Sequence, residues 1–195
     1  MKTLKLSHSI ISQWKEGKYE EAIGQYLGKP YPSTPAMELG LLYDKKWNEH
    51  ILKTGELPDE LGGGKLTNPR VQIKYAVRLP LSEEYEILLR GVPDLTEDDT
   101  ITDFKCGRTE ANSYVGKMQL DYYSLFKPQA TTGRYLCYNP YKDSLTVGIK
   151  FLTQQNRDDA INDIVTYGAD ILQYLLANKL FKDFTDIQKV KDSLD

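Results

Sequence analysis

Two periodicities divide the chain. From Ile10 to Tyr26 apolar and charged residues mix at helical spacing, weakened by Gly17 and Gly24. Pro30, Pro32 and Pro35 then break regular structure. Met37, Leu41, Trp47 and Ile51 recur near a three-to-four-residue period, which predicts an amphipathic helix over 37–52. Beyond the Gly- and Pro-punctuated stretch 57–69 the period falls to two. Val71–Val77 alternates, Glu84–Gly91 starts by alternating and ends in a buried run, and Ile101–Cys106 forms a short strand stopped by Gly107. These predict a meander of three strands. A helix follows over 112–126, with Val115, Met118, Tyr122, Leu125 and Phe126 on one stripe and Pro128 after it. Two strands come next, around 134–138 and 145–152. The last helix is expected to start at Asn156 as N-cap, with Asp158 and Asp159 in its first turn, and to hold its apolar spacing to the end. The sum is a mixed α/β fold with helices packed on a central mixed sheet.

Composition narrows this reading without redirecting it. At 195 residues, with 40% hydrophobic and 27% charged residues, one domain with a real core is expected. Its parts are a helical N-terminal extension (1–35), a core (36–152) and a C-terminal helical segment (153–195). The net charge of −3 excludes a strongly basic nucleic-acid coat protein, yet leaves room for a basic groove around an acidic centre. Two cysteines, Cys106 and Cys137, cannot supply the four thiolates of an iron–sulfur cluster or a four-cysteine zinc site. No stretch approaches the roughly 20 apolar residues of a membrane span, and the N-terminus lacks the pattern of a signal peptide. A soluble, cytoplasmic protein without a membrane partner is the expectation.

The chemistry concentrates in Gly91-Val-Pro-Asp94 and Asp103-Phe-Lys105. Side chains at i and i+2 of a strand share a face, so Asp103 and Lys105 project together with Ile101, while Thr102, Phe104 and Cys106 face the other way. Asp94 ends the preceding strand, and the turn after it can return the chain so that Asp94 lies beside Asp103. Pro93 removes a ladder donor and marks a place where strands part. Two aspartates in such a notch make a hard-oxygen site for Mg²⁺ or Mn²⁺, and a lysine beside them supplies positive charge for a phosphate or its attacking water. Acid-x-Lys alone is weak: with 28 acids and 19 lysines about three occurrences are expected by chance, and three are present. Only Asp103-x-Lys105 lies on a predicted strand after a Gly-x-x-Asp strand end.

With Gln119-Leu-Asp-Tyr-Tyr123 on the following helix and Leu6-Ser-His-Ser9 near the N-terminus, the chain resembles the PD-(D/E)xK nuclease superfamily, and within it the RecB-like branch with phage exonucleases. The resemblance covers roughly residues 6–123. It implies a restriction-endonuclease-like core of αβββαβ order and a Mg²⁺-dependent deoxyribonuclease, an exonuclease in phage-like recombination or DNA processing. Asp94 and Asp103 would ligate the metal with the main-chain carbonyl of Phe104, Lys105 would orient or activate water, and Gln119 and Tyr123 would brace the site or contact DNA. Ser7 and Ser9 would contact a phosphate, and Arg108, Lys117, Lys127, Arg134 and Lys150 would track the DNA backbone. Where many members carry a histidine in Gly-x-x-x-His, this chain has Gly40-Leu-Leu-Tyr-Asp44, so Asp44 stands as a third ligand or as a solvated helix residue. A homo-oligomer or a single-strand annealing partner fits the same resemblance.

Rival readings remain open at this point. Asp103 and Lys105 can be a plain ion pair on an exposed face, and Gln119 and Tyr123 a helix edge. Glu97, Asp98 and Asp99 read as a solvated hairpin turn. A structure-specific or restriction-type endonuclease uses the same centre, and a catalytically decayed member would only bind DNA or protein.

Overall fold

The computed structural model describes residues 1–30 and 32–185. The fold is mixed α/β, and its strands sort into two sheets flanked by helices. The chain divides into two compact units. Among the described residues, one comprises residues 1–30, 76–91 and 161–185, and the other residues 32–75 and 92–160.

In the first unit the order is β1 (Lys2–Ser7), β4 (Tyr85–Gly91), β3 (Tyr75–Pro80), with β1 parallel to β4 and Leu6 opposite Leu89. The N-terminal extension expected to be helical therefore opens with a strand. Leu4 and Leu6 are fully buried, so Lys2–Ser7 is a half-buried amphipathic strand whose partner lies some 80 residues away. The helix expected over 10–26 is two helices, α1 (His8–Lys15) and α2 (Tyr19–Tyr26), because Gly17 adopts a left-handed φ of 76° between them.

In the second unit the order is β2 (Arg70–Val71), β5 (Leu95–Thr96), β6 (Thr100–Cys106), β7 (Thr132–Asn139), β8 (Ser144–Phe151). Only β6 and β7 run parallel, and the chain joins them through α4 (Asn112–Val115) and α5 (Gln119–Ser124). The helix expected over 112–126 is thus two short pieces. The strand read over 71–77 is likewise split, into the ends of β2 and β3, with Gln72 at a φ of 48° between them.

Helix α3 (Pro35–Thr54) has clear punctuation. Thr34 caps its start by accepting from the Met37 amide, Pro35 occupies the first turn, and Gly55 closes it at a φ of 71°. Helix α6 (Gln154–Ala177) starts earlier than expected. Thr153 is the cap, accepting from the Asn156 amide while Asn156 Oδ1 accepts from the Thr153 amide, so Asn156 is the third residue of a capping box. The helix also stops early. Lys179 takes a φ of 56° and the Leu180 amide donates to the Leu175 carbonyl, a left-handed closure that ends the helical spacing. Residues 186–195 of that expected segment lie outside the described residues.

The inner strands β6 and β7 of the five-stranded sheet bury both faces. Phe104 and Leu136 point to one side, against Trp47 and Ile51 of α3, with the Trp47 and Phe104 rings edge-on at 5.7 Å. Ile101, Tyr135 and Cys137 point to the other, against Leu120 and Tyr123 of α5. Gly133 permits that close approach: a Cβ built on it would lie 2.8 Å from Leu120 Cδ1. Among the described residues no helix is long and apolar enough to cross a membrane.

Candidate active site

Strand β6 does what the period of two requires: Ile101, Asp103 and Lys105 share the α5 face, and Phe104 enters the α3 core. The antiparallel register pairs Leu95 with Thr102, so one step further sets Asp94 opposite Asp103. There the ladder ends, because Pro93 has no amide and the Asp94 side chain replaces a main-chain partner. Asp94 Oδ2 accepts from the Phe104 amide at 2.7 Å. The amide and carbonyl of one strand residue point to the same edge, so the Phe104 carbonyl faces the same notch.

Asp103 is 3% exposed and held from two sides. Gln119 Nε2 donates to Oδ1 at 2.7 Å, and Lys105 Nζ stands 2.6 Å from Oδ2. The same Gln119 amide donates to the Tyr123 hydroxyl at 3.2 Å, so residues one helical turn apart on α5 form a brace. Lys105 also sits 5.7 Å from the centre of the Tyr114 ring.

The electrostatics show which groups converge. Burial pushes the Asp94 carboxyl well above its ordinary range, and the negative charges of Asp103 and Asp44 push it further. Burial also raises Asp103, against the opposing pull of Lys105. Asp44, on α3, is raised to about 6 by burial, with Lys105 lowering it and Asp103 raising it. Burial works to lower the Lys105 ammonium, but Asp103 and Asp94 outweigh it and hold the group above its usual value. Burial and the Asp103 charge push the Tyr123 phenol up to about 12. Three carboxylates and one ammonium thus feel one another strongly, at a formal charge of −3 + 1 = −2.

That arrangement favours a cation. Among the described residues no three His, Cys, Asp or Glu side chains form a ready-made metal cage. Mg²⁺ seldom uses one; it is held by one or two carboxylates and keeps waters or substrate oxygens for the rest. The all-oxygen donors and the mutual repulsion of Asp44, Asp94 and Asp103 fit such an ion.

The structure brings Asp44, Asp94, Asp103, Lys105, Gln119 and Tyr123 into one electrostatic neighbourhood within the second unit. Ser7 and Ser9 belong to the first unit. Ser7 caps α1, and its hydroxyl lies 3.0 Å from that of Ser9, which accepts from Gln25. Arg108 and Lys117 are exposed, lying over the rings of Tyr141 and Tyr114 at 4.8 Å and 4.9 Å from the ring centres.

Two cations expected along a DNA path are otherwise engaged. Arg134 donates to Glu97 at 2.9 Å and to Thr102 at 3.1 Å, so Glu97 is no solvated turn residue. Lys150 donates to Asp121 at 2.5 Å and to the Lys117 carbonyl at 3.2 Å. Sequence reasoning missed Gly133, which seats α5, and Tyr114. The only advance signal for Gly133 was a glycine inside a β-strand.

No family model matches the chain, and no curated protein does. Solved structures do. An alkaline exonuclease from Laribacter hongkongensis is 13% identical, with a TM-score of 0.57 over 90% of this chain and 91% of that one. The same enzyme in complex with dAMP is 14% identical, with a TM-score of 0.58 over the same shares. A phage-related exonuclease from Haemophilus somnus is 11% identical, with a TM-score of 0.52 over 90% of this chain and 96% of that one. At such identities the likeness is one of fold.

Proposed function

We propose that the chain is a divalent-metal-dependent DNA nuclease that hydrolyses phosphodiester bonds, acting as an exonuclease. The observation that carries this reading is the meeting of Asp94 and Asp103 at the end of a strand ladder, with Lys105 2.6 Å from Asp103. The exonuclease fold of the structural neighbours supports the same class, and the dAMP bound to one of them makes DNA the first substrate to try.

Asp94, Asp103 and the Phe104 carbonyl would hold Mg²⁺ or Mn²⁺, with Asp44 as a further ligand. Such an ion neutralises charge on a phosphoryl oxygen and acidifies bound water. The side chains divide the remaining work. Gln119 donates to Asp103 and so fixes which carboxylate oxygen faces the notch. Lys105, which Asp103 and Asp94 hold as an ammonium in the metal-free site, would orient or activate the attacking water or contact a phosphate oxygen. Tyr123 stays a neutral phenol at physiological pH and serves as a hydrogen-bonding brace.

Incubation with linear, circular and single-stranded DNA, with Mn²⁺ and with EDTA, tests this. Mn²⁺-dependent loss of linear DNA with circular DNA spared is expected. Asp94→Ala and Asp103→Ala should each lower the rate about a thousandfold or more, with the far-ultraviolet circular dichroism retained. Cleavage that persists in both variants would remove the assignment, and cutting of circles would make the enzyme an endonuclease.

A further inference from the structure

Away from the carboxylates, the second unit has a cavity of about 470 Å³ lined by Asn68, Pro69, Arg70, Asp98, Lys127 and Gln129. Its two cations differ from Arg134 and Lys150. Neither Arg70 nor Lys127 enters a salt bridge among the described residues. The one carboxylate present, Asp98, is occupied: both its oxygens lie 3.1 Å from Asn68 Nδ2. The lining therefore carries a formal charge of +2 − 1 = +1 in a chain whose total is −3, with the amide of Gln129 as a neutral donor.

The cavity is also tied by a short stretch of chain to the helix that braces Asp103. Gln119 and Tyr123 lie one turn apart on α5, which ends at Ser124, and the chain reaches Lys127 at the cavity wall three residues later. Four residues separate Tyr123 from Lys127, a span of at most about 14 Å, or about four base steps along B-form DNA. Phe126 lies on the way, its ring 6.1 Å from Tyr123 and stacked at 5.9 Å on Tyr75. The half-buried rings of Tyr75 and Phe126, with two cations that enter no salt bridge among the described residues, match a nucleic-acid strand, whose bases stack while its phosphates need positive charge.

We propose that Arg70 and Lys127 hold an internal backbone phosphate of the DNA a few nucleotides from the scissile bond. This rests on the nuclease reading only for the identity of the polymer, and its test does not need cleavage. Binding of a fluorescent duplex is measured in EDTA against salt concentration, for the wild-type protein and for Arg70→Gln/Lys127→Gln. Each duplex is used with phosphorylated and with hydroxyl ends. Hydrolysis of a small chromogenic phosphodiester, too short to reach the cavity, is measured alongside with Mn²⁺.

The double variant should bind both duplexes about ten- to a hundredfold more weakly at low salt, with the slope of log K against log salt reduced by about two. Its hydrolysis of the small diester should match the wild type. Unchanged affinity and slope would overturn the proposal, and so would a loss confined to duplexes with phosphorylated ends. Absence of diester hydrolysis in the wild-type protein would instead count against the nuclease reading alone.

Discussion

Asp103 and Asp121 make an instructive pair within one unit. Both are almost fully buried, and each faces a lysine, at 2.6 Å from Lys105 and 2.5 Å from Lys150. Their surroundings differ. Around Asp103 stand Asp94 and Asp44, leaving an excess of two negative charges. Around Asp121 the nearest further acid is Asp159, which is already bound by Gln155, and the lysine is anchored on the Lys117 carbonyl. The first cluster is electrostatically incomplete and suits a cation. The second is an ion pair through one oxygen of Asp121, its Oδ1 being buried without a hydrogen-bond partner, and it pins α5 and the turn before it to β8. The same two residue types therefore make a charge-crowded candidate centre in one place and a structural pin in another. What separates them is the number of uncompensated charges nearby.

The largest effect that sharpens this contrast is expected at the pin. Asp121→Ala leaves the Lys150 ammonium buried without its partner and should cost about 3–5 kcal/mol in urea unfolding. The apolar double substitution Asp121→Leu/Lys150→Met should recover most of that loss. At the centre the sign reverses for the acid that has no lysine against it: Asp94→Asn should raise the melting temperature in EDTA, because one repelling charge is gone. A large destabilisation in both places would erase the distinction.

A pH titration of stability comes next. The carboxyls of Asp44, Asp94 and Asp103 are all raised by folding, so the folded state binds protons more tightly there. The stability this confers is fully present below pH about 4 and is lost as pH rises through the folded values, about 6 for Asp44. In EDTA the contribution of these groups should therefore lower the melting temperature by roughly 5 °C or more between pH 4.5 and 7.5 relative to Asp44→Asn/Asp94→Asn, at about 2–4 °C per kcal/mol for a chain of this size. Mg²⁺ should abolish the difference at pH 7.5. Equal pH profiles for the two proteins would contradict the crowding of charge at the centre.

The smallest effect is expected between the two regions. Gly133→Ala puts a methyl group against Leu120, the residue after Gln119. It should cost about 1–3 kcal/mol and weaken cleavage by loosening the Gln119–Asp103 bond. Intact cleavage at that loss of stability would show that the brace tolerates movement of α5.

Much of this was legible beforehand for local reasons. The alternation in β6 placed Asp103 and Lys105 on one face, and Gly91-Val-Pro-Asp94 marked the strand end that brings Asp94 opposite Asp103. The four-residue step from Gln119 to Tyr123 announced a shared helix face even though α5 is only six residues long. Strand β1 was hidden because its pairing with β4 is non-local, and six residues alternating Lys, Thr, Leu, Lys, Leu, Ser carry little signal of their own. The breaks at Gly17 and between α4 and α5 turned on single backbone angles and packing.

By itself the sequence determined the types and spacings of the acid, lysine and glutamine residues, because faces of strands and helices follow from periods of two and about 3.6. Only the tertiary structure decided which cations are taken. Arg134 and Lys150 are held by Glu97 and Asp121, whereas Arg70 and Lys127 line a cavity. Charge pairing depends on distances across strands and loops, and those are set by how α5, β7 and β8 pack and not by neighbours along the chain.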